Sequence, residues 1–333
     1  MKCYQANSGA GLSGLLLREV DKPRAYYRQV VLRVRANSLN FRELLILRGA
    51  YPLPVKANVV MCSDGAGEVV EVGEGVSRAK TGDRVVAAMF PRWIDGPIAW
   101  EYAPQIGGSL DGMLSEYVIL DEDAVVHIPA HLSFEEAATL PCAAVTAWNA
   151  LVGHRPPGPG DTVLTLGSGS VSLFALQFAK MFGASVIATT SSREKANRLR
   201  ELGADHVIDY KQAPDWHAAV RELTGGRGVD LVVEVGGNLE QSLKAVMLEG
   251  QVAFVGRLEQ NNTSMDINVL YNSVANVRVI FAGNRAHFDA MNRAITAKKM
   301  RPVIDRIFDF EEAPAAFRYF EEMRPFGKVV IRH

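Results

Sequence analysis

The sequence predicts a two-domain α/β protein, in which a β-rich domain precedes a doubly wound parallel sheet of six strands. Three observations carry the prediction. A chain of 333 residues, 48% of them hydrophobic, can bury more core than one domain usually holds. Its first third shows short β-branched runs punctuated by Gly, Pro and Asp. Beyond Pro129, short apolar runs alternate with longer stretches of helical periodicity, the pattern of a parallel sheet covered on both faces.

In chain order, the runs Val30 to Val34, Glu68 to Val72, Arg84 to Ala88 and Glu116 to Leu120 read as strands joined by tight turns. Ser133 and Glu136 have the spacing of a capping box, which predicts a helix running toward Pro141. Thr162 to Leu166 then reads as a buried strand and Val171 to Phe182 as a helix. Val186 to Ala188 is the second strand of this series, followed by a helix over Arg193 to Leu202. Val207 and Ile208, Leu231 to Val235, Gln251 to Val255 and Val277 to Phe281 complete the six strands. From about Gly283 the alternation stops. The expected organisation is a first domain over residues 1–128, a nucleotide domain over 129–282, and a return of 283–333 to the first domain.

Composition narrows the function classes. Lys plus Arg number 36 against 37 Asp plus Glu, so no net field favours nucleic acid or an acidic membrane. Residues 1–17 lack the pattern of a secretion signal, and no run is apolar for the length of a bilayer span. Cys3, Cys62 and Cys142 are too few and too scattered for a disulfide framework or a structural zinc site. A cytoplasmic protein acting on a small molecule is expected.

Between the first strand and helix of the alternating series lie Gly167, Ser168, Gly169, Ser170, Val171 and Ser172. Such a turn aims backbone N–H groups and the positive helix end at a pyrophosphate. Ser172 stands where the Rossmann fingerprint puts its third glycine, a small replacement that still allows helix and strand to pack closely. An ordinary βα turn would look the same in isolation; six alternations around it favour a dinucleotide. The end of the second strand selects which one. An NAD site commonly has an acid there for the ribose 2′-OH. Here the stretch is Thr189, Thr190, Ser191, Ser192, Arg193, Glu194, Lys195, so hydroxyls and cations are available for a 2′-phosphate and NADP(H) is the expected cofactor. Ser192 can also cap the next helix, with Arg193 and Lys195 merely solvated.

The run Gly65-Ala66-Gly67-Glu68-Val69-Val70-Glu71-Val72-Gly73-Glu74-Gly75-Val76, continuing to Gly82-Asp83-Arg84-Val85, resembles the GroES-like domain of medium-chain alcohol dehydrogenases and quinone reductases. Ser38 to Gly49, Ala137 to Pro141 ahead of Thr146-Ala147-Trp148, Leu202-Gly203-Ala204-Asp205 and Gly327-Lys328-Val329-Val330 resemble the same family in the same order. The resemblance implies a Rossmann domain joined to a GroES-like catalytic domain. Zinc-dependent members carry catalytic ligands at places that fall here on Asn40, on Ser63 with Asp64, and on Cys142, of which only Cys142 is a ligand type. One thiol does not make a tetrahedral zinc site, so no metal is expected, and Cys142 reads as a packing residue. The structural zinc lobe would fall between Phe90 and Met113, a stretch without cysteine.

Without zinc, alkoxide stabilisation is lost, and hydride delivery to a quinone, enone or related conjugated carbonyl is easier to support. The family layout implies that Asn40, Arg42 and Tyr51 face the nicotinamide, with Asn40 and Tyr51 as donors to a carbonyl oxygen and Tyr51 as a proton source. Alternatively, Asn40 caps the helix through Leu47, Tyr51 packs beside Pro52, and Arg42 with Glu43 forms a surface pair. Thr146 is implied near the nicotinamide carboxamide, and Tyr210 beside the adenosine phosphate with Lys195 as its basic partner. Gly236, Gly237 and Gly256 follow strands at the ligand end of the sheet, although turn formation alone also explains them. Asn284 and Arg285 follow the sixth strand and are placed toward the nicotinamide or diphosphate. The aromatic stretch Met89 to Trp100 offers either a substrate wall or, at Trp93 and Trp100, a plug or subunit contact. The seven histidines show no ligand or general-base spacing. Family members are commonly dimers or tetramers, which points to a homodimer or homotetramer joined at the sixth strand. Two other functions stay open: a zinc-independent alcohol or aldehyde dehydrogenase, and a non-catalytic NADPH-binding protein.

Overall fold

A computed structural model describes residues 1–236, 238–256, 265–323 and 325–333. The chain divides into two compact units, Met1–Val145 with Gly283–His333, and Thr146–Ala282.

In the first unit, β1 (Lys2–Ala6) pairs with β2 (Leu16–Glu19) and then β3 (Gln29–Ser38) leads to helix α1 (Phe41–Leu47). β4 (Val59–Val60), β5 (Asp64–Val72), β6 (Arg84–Ala87), β7 (Tyr117–Asp121), β8 (Val125–His127) and the short α2 (Phe134–Ala137) follow. β5 pairs along β3 from Val30↔Val72 to Ser38↔Asp64. Gly67 of β5 is required by that pairing, because a Cβ there would stand 2.3 Å from the Arg33 carbonyl oxygen. The capping box at α2 forms as its spacing predicts, with Glu136 N–H donating to Ser133 Oγ at 3.2 Å and Ser133 N–H to Glu136 Oε2 at 2.8 Å. The helix is shorter than expected: it stops at Ala137, and a wider turn over Leu140–Ala144 carries the chain past Pro141.

The second unit begins within α3 (Val145–Val152) and alternates strictly: β9 (Thr162–Thr165), α4 (Ser170–Met181), β10 (Ser185–Thr190), α5 (Arg193–Glu201), β11 (His206–Asp209), α6 (Trp216–Leu223), β12 (Val229–Glu234), α7 (Leu239–Ala245), β13 (Val246–Phe254), α8 (Ile267–Ser273) and β14 (Asn276–Val279). The sheet is parallel with order β11-β10-β9-β12-β13-β14, so the order reverses beside β9, the first of the six strands. That reversal is where a doubly wound sheet binds its ligand. Its core joins Leu164, Ile187, Val232 and Val252 to Trp216 and Val220 of α6.

The chain then re-enters the first unit with α9 (Arg285–Lys298), β15 (Ile304–Asp309), α10 (Ala313–Met323) and β16 (Lys328–Arg332). β16 pairs antiparallel with β3, Val330 opposite Ser38. The boundary differs from the sequence expectation at one point. Residues 129–145, assigned above to the nucleotide domain, pack with the first unit, where Ser38 Oγ reaches the Ala138 carbonyl oxygen at 2.9 Å. Helical periodicity reports which face of a segment is buried but not which core buries it.

Candidate active site

Four ionised side chains meet at the junction of β3, α1, β5 and β16 in the first unit, all essentially buried: Arg42, Glu43, Asp64 and Lys328. Two cations and two anions cancel, which is how such charges are tolerated out of water. Arg42 and Glu43, open above to reading as a surface pair, are instead an inward-facing ion pair at 3.1 Å. Every arm of Arg42 is used. Nε donates to Tyr51 Oη at 3.2 Å, Nη1 also reaches the Ile106 carbonyl oxygen at 3.2 Å, and Nη2 the Gly107 carbonyl oxygen at 3.0 Å. Glu43 in turn accepts from the backbone N–H of Asn40 at 2.7 Å and of Ser63 at 3.1 Å.

Lys328 sits on the other side of the cluster. Its three ammonium protons match three acceptors: Asn40 Oδ1 at 2.7 Å, Leu39 O at 2.8 Å and Asp64 Oδ2 at 3.2 Å. Asp64 Oδ2 is also 2.8 Å from Ser38 Oγ. Asn40 is the N-cap of α1 and closes a capping box with Glu43, as one of the two sequence readings has it; its side-chain oxygen also accepts from Lys328, and its Nδ2 points to Ser63 Oγ over a long 3.4 Å.

Tyr51 packs partly buried against the first unit's core, with the Arg42 guanidinium 4.8 Å over its ring. Because Arg42 donates to Oη, the phenol's own proton is left to point elsewhere. Burial raises the Tyr51 pKa above its ordinary 10, against the opposing pull of Arg42, so the residue is a neutral O–H donor across the physiological range. Cys142 is near enough to feel the same charges; burial first, then Asp64 and Glu43, push its thiol up to about 12.

These residues do not fit a catalytic zinc. Asn40 and Ser63 are not thiolate or imidazole ligands, and Asp64 is engaged by Lys328 and Ser38, which leaves Cys142 as a lone thiol. Among the described residues, no group of three or more His, Cys, Asp or Glu could hold a metal ion.

In the second unit the turn after β9 is built for close approach. Gly167 takes a φ of 74°, and its N–H donates to Thr189 Oγ1 at 3.1 Å, which ties the turn to β10. Ser172, buried in α4, donates to the Leu166 carbonyl oxygen at 2.6 Å, so the small residue expected there is enclosed by packing. Gly169, in the turn, and Gly256, after β13, are different. Neither has a positive φ, and among the described residues a Cβ at either would meet nothing within 4 Å. At Gly169 neither backbone strain nor packing of the described residues accounts for glycine, which fits space kept open for a ligand. Gly236 N–H donates to Glu234 Oε1 at 2.7 Å, a local turn contact, and Gly237 lies outside the described residues.

At the end of β10, the Thr190 hydroxyl is buried with no hydrogen-bond partner among the described residues. Ser192 caps α5 by accepting from the Lys195 N–H at 3.2 Å. Ser191 is half-buried, Arg193 exposed, and Tyr210 at the end of β11 is 38% exposed, with its N–H on the Thr190 carbonyl oxygen. Ser168 is buried, and Ser170 and Val171 open the first turn of α4, where N–H groups lack helical partners. Thr146 is buried at the start of the second unit.

Asn284 and Arg285, placed above toward the nucleotide, spend their bonds inside the first unit. Asn284 caps α9 by accepting from His287 N–H at 2.7 Å, and Arg285 pairs with Asp123 at 3.0 Å. In the aromatic loop Trp93 is a plug: it is buried, its Nε1 donates to the Gly96 carbonyl oxygen at 2.9 Å, and its ring meets Phe90 and His287 edge-on. Trp100 is 85% exposed. Sequence reasoning gave Glu43 only a surface role and Lys328 none. The closing Gly-Lys-Val-Val run was the available signal, but nothing in its spacing shows where the ammonium goes.

A doubly wound parallel sheet with a glycine-rich turn after its first strand, together with a separate β-rich unit holding a buried polar cluster, defines a nicotinamide-dependent oxidoreductase. The chain belongs to the medium-chain dehydrogenase/reductase superfamily. Residues 27–130 match the alcohol dehydrogenase GroES-like domain and residues 170–297 the zinc-binding dehydrogenase domain. A zinc-type alcohol dehydrogenase-like protein of Schizosaccharomyces pombe is 42% identical over 313 residues, 91% of this chain and 90% of that one. An acryloyl-coenzyme A reductase of Metallosphaera sedula is 30% identical over 332 residues, 96% of each chain. A solved NAD-dependent alcohol dehydrogenase superposes with a TM-score of 0.91 at 32% identity, covering 100% of both chains. No helix among the described residues is long and apolar enough to cross a membrane.

Proposed function

We propose that this protein is an NADPH-dependent reductase of quinones, enones or related conjugated carbonyls that works without zinc. The observation that carries the reading is the buried, charge-neutral cluster of the first unit, which offers the Asn40 amide and the Tyr51 hydroxyl as donors and supplies no ligand set for a metal. The bound dihydronicotinamide would supply a hydride to the electrophilic carbon. The displaced electron pair moves onto the substrate's carbonyl oxygen, which Asn40 Nδ2 and Tyr51 Oη receive as hydrogen-bond donors. Tyr51 or water then returns one proton, so that NADPH, a proton and the enone give NADP⁺ and the saturated carbonyl. Arg42 keeps Tyr51 oriented throughout.

The second unit supports the cofactor part. The Gly167 to Val171 turn would take the pyrophosphate, and the buried Thr190 hydroxyl with Ser191, Ser192, Arg193 and Lys195 the 2′-phosphate, with Tyr210 beside the adenosine. Thr146, Gly236 and Gly256 would line the nucleotide's path. The Metallosphaera relative is named an acryloyl-coenzyme A reductase, while the Schizosaccharomyces relative is named a zinc-type alcohol dehydrogenase-like protein.

The test is consumption of NADPH, and of NADH alongside, against a panel of quinones and enones. Turnover with NADPH that falls sharply in Tyr51→Phe and Asn40→Ala is expected. Tight NADPH binding with no turnover on any member of the panel would overturn it.

A further inference from the structure

The reaction above gives Lys328, the second cation of the buried cluster, no task, yet its placement is demanding. A primary ammonium is almost fully enclosed, and each of its protons has an acceptor. Neutralising Asp64 alone would not require the shortest of its three bonds to go to a neutral amide, Asn40 Oδ1 at 2.7 Å, while the carboxylate oxygen lies at 3.2 Å. An ammonium bonded to an amide oxygen has two consequences. It fixes the amide's orientation, because only Oδ1 can accept, and it draws electron density toward oxygen, leaving the NH₂ group a stronger donor. Nδ2 is correspondingly the atom turned away, with the long contact to Ser63 Oγ as its hydrogen bond among the described residues.

We propose that Lys328 is a positioning residue: through its bond to Asn40 Oδ1 it presents and strengthens Asn40 Nδ2 as the donor to a substrate oxyanion, so that a fixed ammonium supplies at this site the positive charge a divalent metal would. The inference rests on the reading that this cluster receives an oxyanion. It assigns the cluster's selectivity to substrates whose negative charge develops on oxygen, such as quinones and enones.

The experiment follows the ionisation of 4-nitrophenol, a phenolate probe, bound to the full-length NADP⁺-loaded protein, by its absorbance. Wild-type protein is expected to acidify the bound probe by about one pH unit or more, a tenfold preference for phenolate. Lys328→Met should abolish that while NADP⁺ affinity is unchanged. Because Lys328→Met strands Asp64 as a buried charge, two further variants decide the matter. Asp64→Asn leaves Lys328 as the uncompensated charge, so it should lose stability as Lys328→Met does, but the ammonium keeps its Asn40 and Leu39 acceptors and the acidification should persist. Asp64→Asn with Lys328→Met is neutral and should fold, but lose it. If Lys328 serves only to balance Asp64, the double variant behaves like wild type, and that result overturns the proposal. A wild-type protein that turns over enones but leaves the probe's ionisation unchanged also overturns it. A protein that acidifies the probe through Lys328 yet reduces no member of the panel refutes the reductase reading and leaves this inference standing.

Discussion

Replacing Arg42 with Met tests whether the buried cluster is a single electrostatic unit. The change removes a guanidinium that is 7% exposed and leaves Glu43, which is 0% exposed, without its cationic partner. Breaking a buried ion pair from one side costs about 3–5 kcal/mol, because the remaining charge is uncompensated. The carbonyl oxygens of Ile106 and Gly107 lose their donor as well, at about 1 kcal/mol each. These terms are coupled, so the expected loss for the first unit is about 4–6 kcal/mol, the pair dominating. Arg42→Met with Glu43→Leu removes both charges and should recover about half of the pair's share, since no ion is then stranded. Amide hydrogen exchange read on α1 and β5 reports this unit separately from the nucleotide-binding one. A single variant within about 1 kcal/mol of wild type would show that water reaches Glu43, and the account of the cluster as a closed, mutually compensated set would be wrong.

Three other outcomes are expected. Gly169→Val puts a side chain into open space, so thermal stability should hold while nucleotide affinity falls at least about tenfold, near 1.4 kcal/mol; unchanged affinity would remove the phosphate turn from the site. Ser191→Asp places a carboxylate where the 2′-phosphate is proposed, and should weaken NADPH by about tenfold or more with NADH little affected, as measured by fluorescence titration. His333 is packed against Phe310 and bonded to Asn37 Oδ1 at 2.7 Å, and burial lowers its pKa from 6.5 to about 4. The depressed pKa means the unfolded chain binds the proton more readily between those values. Its contribution is absent above about pH 6.5 and becomes destabilising as pH falls, by about 2 kcal/mol at pH 5. His333→Phe should flatten that stretch of the stability profile; an unchanged slope in urea midpoints would assign it to other groups.

Periodicity and turn chemistry are local, and what depends on them was readable from the chain. The alternation after Thr162 specified six parallel strands, because each strand and helix must bury its own apolar face in a βαβ series. Ser133 with Glu136 and the close packing at Ser172 follow from residues three and six positions apart. Tertiary structure alone decided the rest. Lys328 meets Asn40 and Asp64 across separations of 288 and 264 residues, after β16 returns to lie along β3. The same return decides that Asn284 serves a helix cap in the first unit, and that residues 129–145 pack there too. A side chain's ionisation and bonding depend on which distant groups share its low-dielectric surroundings, and a linear sequence specifies those neighbours only through the complete fold.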